Sequence, residues 1–476
     1  MSIIHFGNIS VGLTNAQIKV LHEKALYLIK NSGIRVPHNK ILDLISNYDG
    51  VKIKNETVCF SEDLVEKAIK GLRFDYPDEF KKGYFMLSGA HQDIVYDIDT
   101  FRLRKTTLAD LRILTKICDF LRITGSAPVR PMDKPLYLQE ILMYKVSWEN
   151  SSHKSNNIFE HNPKSTIESA KYIYEMSKVA NKWFSIILWV ISPRNFSYAD
   201  LDIVYYFRDK NIPMCVTTMP VAGTTAPINM VGAYLQSIFE LFSGLTLISL
   251  VNTKGCNYCA PMDNIRAYTF DMRFGTFVYG SPEDIKGTVY QANLNEYYGL
   301  PTVAKSLLTT SKEPDGQASL EKGLHTLMAM LLGIKGFTNA GLLSVDEIYS
   351  AEQLVIDKEI VDFCSKVVKD EDFLNIDEIL TEIMETGPNQ TFLTKESTLR
   401  QYKDFLWDPQ LFTHESLGQW QKNGSMTLQK KANNKVKEIL KIHDYQIDEG
   451  LKKELDKIFK TATEDQKLID SYKNRQ

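Results

Sequence analysis

A chain of 476 residues with 43% hydrophobic content can bury a large core and exceeds one average domain. Its net charge of −3, with both signs mixed along the chain, offers no basic field for nucleic acid. No apolar run reads as the roughly 18 to 20 residues of a membrane span, and six cysteines are too few for a disulfide framework at this length. The start, "MSIIHFGNISVGL", lacks a basic region followed by an apolar one, so a reduced, cytoplasmic setting is expected.

In chain order, "TNAQIKVLHEKALYLIKNSG" places Leu, Ala and Ile at helical spacing and predicts a helix that stops at Gly33. "VKIKNETVCF" predicts a short strand, and Ser61 followed by Glu62 and Asp63 predicts a capped second helix. Residues 76–104, including "DIVYDIDTFRLRK", read as short strands and turns. From about 105 apolar strands alternate with amphipathic helices. The strands are read in "FLRITGSAPV", "HKSNNIFE", "WFSIILWVISP", "PMCVTTMP", "LTLISLVN", "TFVYG", "TVAKSLLTT" and "IKGFTNAG". Roughly eight β/α alternations over about 250 residues match the size of a (β/α)8 TIM barrel. A doubly wound sheet would need fewer units and a glycine-rich phosphate turn, and no GxGxxG or P-loop is present. The expected organisation is an N-terminal α+β extension over 1–104, the barrel over 105–350, and a C-terminal helical extension over 351–476 packed on it.

In such a barrel the loops after the strands form the functional face. "VAGTTAP" is one of these loops. Its small residues Gly223, Thr224 and Thr225 can let a ligand approach the backbone and can offer amides to it, or they can make a tight packing turn. "NIFEH" sets Glu160 at a strand end, facing the mouth or capping the helix after Pro163. Asn339 ends the last strand, and Asp346, Glu347 and Tyr349 follow it. Carboxylates with an aromatic suit a cationic ligand, although a solvated helix start would look the same. Phe159, Trp189, Tyr258 and Tyr349 are aromatics near strand ends. Asp271 and Arg273 read as an internal ion pair, and Cys256 and Cys259 as buried thiols, because no second Cys or His pair stands at zinc-ligand spacing. HExxH and GxSxG are missing too.

Several stretches together resemble one family, the trimethylamine methyltransferase family of corrinoid-dependent enzymes. They are "DIDTFRLRKTTLADL", "VISPRNFSYADLDIVYYF", "MPVAGTTAPINMVGAYLQ", "DMRFGTFVYGSPE", "YYGLPTVAKSLLTTSKEPDGQASLEKG" and "AGLLSVDEIYSAEQLVIDKEI", in order over roughly residues 90–365. The resemblance implies a (β/α)8 barrel that moves a methyl group from an amine to the cobalt of a separate corrinoid protein. The founding enzymes carry pyrrolysine, whereas this sequence has only standard amino acids. It therefore resembles the branch that demethylates quaternary amines such as glycine betaine, proline betaine, carnitine or γ-butyrobetaine. Related sequences often have His where "FTNAG" stands, so Asn339 there implies a different substrate or placement.

What the resemblance implies for this chain is a substrate site of Phe159, Glu160, Trp189, Asn339, Asp346, Glu347 and Tyr349. Gly223, Thr224 and Thr225 would face the corrinoid. The cobalamin-type cofactor would be carried by the cognate protein, with no metal held by this chain and no nucleic-acid or membrane partner. The helical extensions leave room for a homo-oligomer. A non-catalytic quaternary-amine-binding barrel and a tertiary-amine methyltransferase remain the alternatives.

Overall fold

The computed structural model describes residues 4–6, 9–72, 83–125, 127–152, 166–252, 254, 264–369 and 376–473. The first helix, Asn15–Asn31, starts at Thr14, whose hydroxyl accepts from the amide of Gln17 while the Gln17 side chain reaches back to the Thr14 amide. Its residues Ile18, Leu21, Ala25 and Ile29 form the buried stripe that the spacing predicted. "VKIKNETVCF" is two strands and not one. Val51–Lys54 and Thr57–Phe60 pair antiparallel about Asn55, which adopts φ 54, a conformation asparagine tolerates in turns. The helix Glu62–Lys70 is capped by Ser61, as expected.

The fold is mixed α/β, with helices predominating over several small sheets. In one sheet Met214–Thr218 runs parallel to Ile186–Ile191, with Thr217 opposite Trp189. That sheet continues through Asn195–Phe196 and Ile34–Arg35 to the N-terminal hairpin. In another, Val303–Ala304, Gly336–Ala340 and Phe85–Ser88 are all parallel. Single parallel bridges join Leu87 to Thr124, Gln92 to Val129 and Val221 to Tyr268.

Three expectations are corrected. Phe85–Ser88 belongs to the parallel set, so that set begins upstream of residue 105. Its four residues are too short to show a period. "LTLISLVN" is not a strand but the end of the helix Met230–Val251. An apolar run buried on all sides carries no periodicity that separates strand from helix. "TFVYG" contributes Thr276–Phe277 to a hairpin with Phe270–Asp271, and the parallel bridge falls on Tyr268 instead. The expected strand in "HKSNNIFE" lies outside the described residues.

Helix Met230–Val251 also corrects the reading of membrane spans. At 22 residues it is long and apolar enough to cross a bilayer by length and composition, but 83% of its most apolar window is buried inside the protein. Glu240 in its middle is fully buried and accepts from Ser192 Oγ at 2.6 Å and the Arg194 amide at 2.9 Å. Gly244 lets it lie close to the neighbouring strand, because a Cβ there would stand 2.6 Å from Val216 Cγ1. One apolar cluster surrounds this helix, and a second surrounds Gly336–Ala340 and the helix Ala351–Val367. The C-terminal helices Leu428–Ile442 and Glu449–Glu464 pack back on the body through Val436, Ile439 and Leu455.

Candidate functional site

The turn "VAGTTAP" follows the strand Met214–Thr218 and closes on itself. The amides of Thr224, Thr225 and Ala226 all donate to Val221 O at 3.0–3.1 Å, and Gly223 N donates to Ala226 O at 2.9 Å. The amide of Val221 donates to Thr225 Oγ1 at 3.0 Å. These amides are therefore used up within the turn, which corrects the expectation that they await a ligand. Gly223 stands at φ 85, where a side chain is strained, and a Cβ would meet Met272 Cε at 2.1 Å and Ile228 Cδ1 at 2.7 Å. What the turn does present is apolar. Ile228, Val231, Met272 and Phe274 around it are all exposed, and Thr224 is open to solvent. Asp271 and Arg273 form the expected ion pair at 2.6 Å, which shapes the hairpin tip carrying Met272 and Phe274.

The loop after Gly336–Ala340 is held in an unusual conformation. Asn339, Gly341, Ser344 and Val345 all have positive φ, and for a β-branched valine φ 71 is a strained state. Neighbouring elements impose it. Val345 N donates to Thr309 O at 2.8 Å, Ser344 N to Ser311 O at 2.7 Å, and Gly341 N to Asp357 Oδ2 at 2.7 Å. Leu342–Leu343 then pairs antiparallel with Ile348–Tyr349, so the turn between them projects Asp346 and Glu347. Both keep solvent-accessible surface, and Ser344 Oγ donates to Glu347 Oε2 at 2.8 Å. Protein packed around Asp346 nevertheless raises its carboxyl above the ordinary range, with the Lys305 charge opposing and Glu347 adding to the rise.

Residues missed in the sequence fill the neighbourhood of Asp346. Lys305 follows the strand Val303–Ala304 and sits 5.0 Å over the Tyr268 ring. Tyr268 and Tyr279 meet edge to face at 6.0 Å, and Phe277 stacks on Tyr279 at 5.9 Å with Phe270 against it. Burial holds the Tyr279 hydroxyl protonated well above its usual range, while Lys305, Tyr268, Asp346 and Arg266 all act on it electrostatically. Arg266 is itself buried against Asp284 at 2.7 Å. The signal for this group was present as five aromatics in "YTFDMRFGTFVY", four of them in the group, and a lysine directly after an apolar strand.

Of the expected site residues, Asn339 is on the strand Gly336–Ala340, and Asp346 and Glu347 are in the turn between Leu342–Leu343 and Ile348–Tyr349 that follows it. Asn339 is half-buried and accepts from Thr338 Oγ1 at 2.8 Å. Tyr349 is corrected from ligand to core. It is fully buried, with its hydroxyl 2.8 Å from Ser88 Oγ and 3.6 Å from Cys118 Sγ, so its ring has no open face. Trp189 is half-buried on Ile186–Ile191, in a different sheet from Asn339. Phe159, Glu160, Cys256, Tyr258 and Cys259 lie outside the described residues.

The glycine betaine methyltransferase of Desulfitobacterium hafniense (strain Y51) is 22% identical over 440 residues, 88% of this chain and 90% of that protein. The proline betaine:corrinoid methyltransferase of Eubacterium limosum is 22% identical over 432 residues, 85% and 87% of the two chains. The trimethylamine methyltransferase MttB of Methanosarcina thermophila is 30% identical over 268 residues, 55% of this chain, and the match spans only about half, 53%, of that protein's length. The family model for trimethylamine methyltransferase (MTTB) matches residues 7–465, so the chain belongs to that family.

Proposed function

We propose that this chain takes a methyl group from a quaternary amine of the betaine type and passes it to the cobalt of a corrinoid carried by a separate protein. The observation that carries the reading is the placement of Lys305 and Asp346 after the neighbouring parallel strands Val303–Ala304 and Gly336–Ala340, near enough for the lysine charge to act on the carboxyl. A betaine has one fixed positive and one negative charge. Asp346, with the half-buried rings of Phe270 and Phe277 nearby, suits the ammonium end, and Lys305 suits the carboxylate. The parallel ladders, the helices between them and the functional loops after the strands support the (β/α)8 reading. Relatives named for glycine betaine and proline betaine, matched over most of the chain, support the substrate class.

The chemistry fits such a site. A quaternary ammonium is already activated, because the C–N bond breaks with both electrons staying on nitrogen and the amine leaves neutral. No proton has to be supplied. The partner's corrinoid supplies the nucleophilic cobalt. This chain holds the amine with one methyl outward and keeps water away from it. The exposed Ile228, Val231, Met272 and Phe274 offer an apolar rim for that partner. The free cysteines, among them Cys59, Cys118, Cys215 and Cys364, are consistent with a reduced cytoplasmic setting.

The test is a panel of amines with reduced cobalamin, read by the absorbance change from cob(I)alamin to methylcobalamin. Glycine betaine, proline betaine or carnitine should turn over and trimethylamine should not. The 30% identity to trimethylamine methyltransferases favours the rival substrate, so equal or faster turnover of trimethylamine would reverse the reading.

A further inference from the structure

A recess of about 900 Å³ lies in the C-terminal helical region, lined by Tyr402, Trp407, Phe412, His414 and Trp420 among others. None of its lining belongs to the loops after the parallel strands, so it is separate from the site around Asp346. Its volume falls in the ~300–1,000 Å³ range of small-molecule sites, which are lined mostly by apolar and aromatic side chains with a few polar groups. The loop that carries Trp407 and Phe412 is held from beneath. Glu359, 3% exposed on the helix Ala351–Val367, accepts from three successive amides of that loop: Gln410 N at 3.3 Å, Leu411 N at 2.8 Å and Phe412 N at 2.9 Å. One turn further along the same helix, Phe363 meets Trp407 at 5.3 Å and Phe412 at 6.0 Å. A buried carboxylate and packed rings thus fix the shape of the recess before a ligand arrives.

The rings stand at steep angles to one another. Phe412 lies 5.7 Å from Trp407 at 77°, and His414 lies 6.3 Å from Trp407 at 71°. Rings set nearly at right angles around a hollow offer faces to different methyl groups of one ammonium, whereas a flat apolar ligand can lie on only one of them. Charge agrees with a cation. Asp408 and Glu415 both line the recess, and Asp408 is exposed with no cation paired to it among the described residues. Glu415 accepts from Asn423 Nδ2 and from Thr413 Oγ1, so neutral donors hold its carboxyl ionised, below its ordinary range, without cancelling the charge. Lys403 and Lys431 line the recess too, so a carboxylate on the ligand also finds a counter-charge. We propose that this recess is a second, non-catalytic binding site for a zwitterionic methylated ammonium of the betaine class. The assignment is read from the recess alone and does not depend on the proposed methyl transfer.

Titration calorimetry of the full chain without corrinoid tests this. The background is Asp346→Asn with Lys305→Met, which removes the charges of the proposed catalytic site. The probes are glycine betaine and 3,3-dimethylbutanoate, its isostere with carbon in place of the charged nitrogen. Glycine betaine should bind the background at one site, and the isostere about tenfold more weakly. Asp408→Asn with Glu415→Gln, two exposed carboxylates whose replacement keeps the fold, should weaken betaine about fivefold, and Trp420→Leu should do the same. In the otherwise wild-type chain, the carboxylate pair should leave methyl transfer to cob(I)alamin unchanged. No binding in the background, binding indifferent to these substitutions, or an isostere that binds equally well would each overturn the proposal. The last outcome would give the recess to an apolar ligand. A wild type that transfers no methyl group from any quaternary amine would overturn the proposed reaction and leave this assignment standing on its own calorimetry.

Discussion

Replacing Lys322 with methionine probes the device that holds the candidate site. Lys322 and Asp357 are both fully buried, with Nζ 2.9 and 3.0 Å from the two carboxylate oxygens and 2.9 Å from Leu342 O. Asp357 also accepts from Gly341 N at 2.7 Å and Gln353 Nε2 at 2.8 Å. Burial pushes the lysine down and the carboxyl up, each against the pull of its partner's charge. Lys322→Met keeps the volume and leaves a buried carboxylate with no cation, a change that costs about 3–5 kcal/mol. With an unfolding entropy of about 2.1 cal/mol/K per residue, the whole chain unfolds with about 1 kcal/mol/K, so Tm should fall by about 3–5 °C. Lys322→Met with Asp357→Leu should recover part of the loss but not all, because Gly341 N then lacks its acceptor. Gly341 opens the loop that carries Asp346, so KM for the amine should rise in both variants. Scanning calorimetry at pH 7 and initial rates measure the two effects. A single variant with unchanged Tm and KM, or a double variant as damaged as the sum of the singles, would refute the reasoning.

Asp346→Asn should raise KM several-fold without loss of stability. Burial raises that carboxyl, so the folded state already binds its proton more tightly than the unfolded chain, and the charge is a liability above its ordinary pKa. Lys305→Met should raise KM for a zwitterionic betaine far more than for a quaternary amine lacking a carboxylate, and equal effects on both would remove Lys305 from the site. His325, buried with Nε2 2.6 Å from Thr288 Oγ1, is pushed down to about 4 by desolvation, with Asp284 opposing and Arg266 adding to it. The unfolded chain therefore takes up a proton that the folded one refuses as pH falls from about 6.5 to 4, and up to about 3 kcal/mol of stability is lost across that window. Urea melts at several pH values should show a shallower slope for His325→Gln. Gly223→Ala should cost about 1–2 kcal/mol from its left-handed backbone, since Met272 and Ile228 are exposed and can move aside. A melting temperature equal to wild type would argue against that turn conformation.

What the sequence determined by itself was what near neighbours decide. The cap at Ser61 and the Asp271–Arg273 pair depend on residues two or three apart, and both were legible. So was the family, because its motifs recur in order along the chain. The tertiary structure decided what distant residues do to one another. Tyr349 looked like a ligand's aromatic partner until Ser88 and Cys118, far back in the chain, closed around its hydroxyl. The "VAGTTAP" amides looked available until the turn used them on itself, and only the fold sets Lys305 beside the strained turn that carries Asp346. Burial and backbone strain arise from segments that meet only after folding, so no local pattern in the chain can announce them.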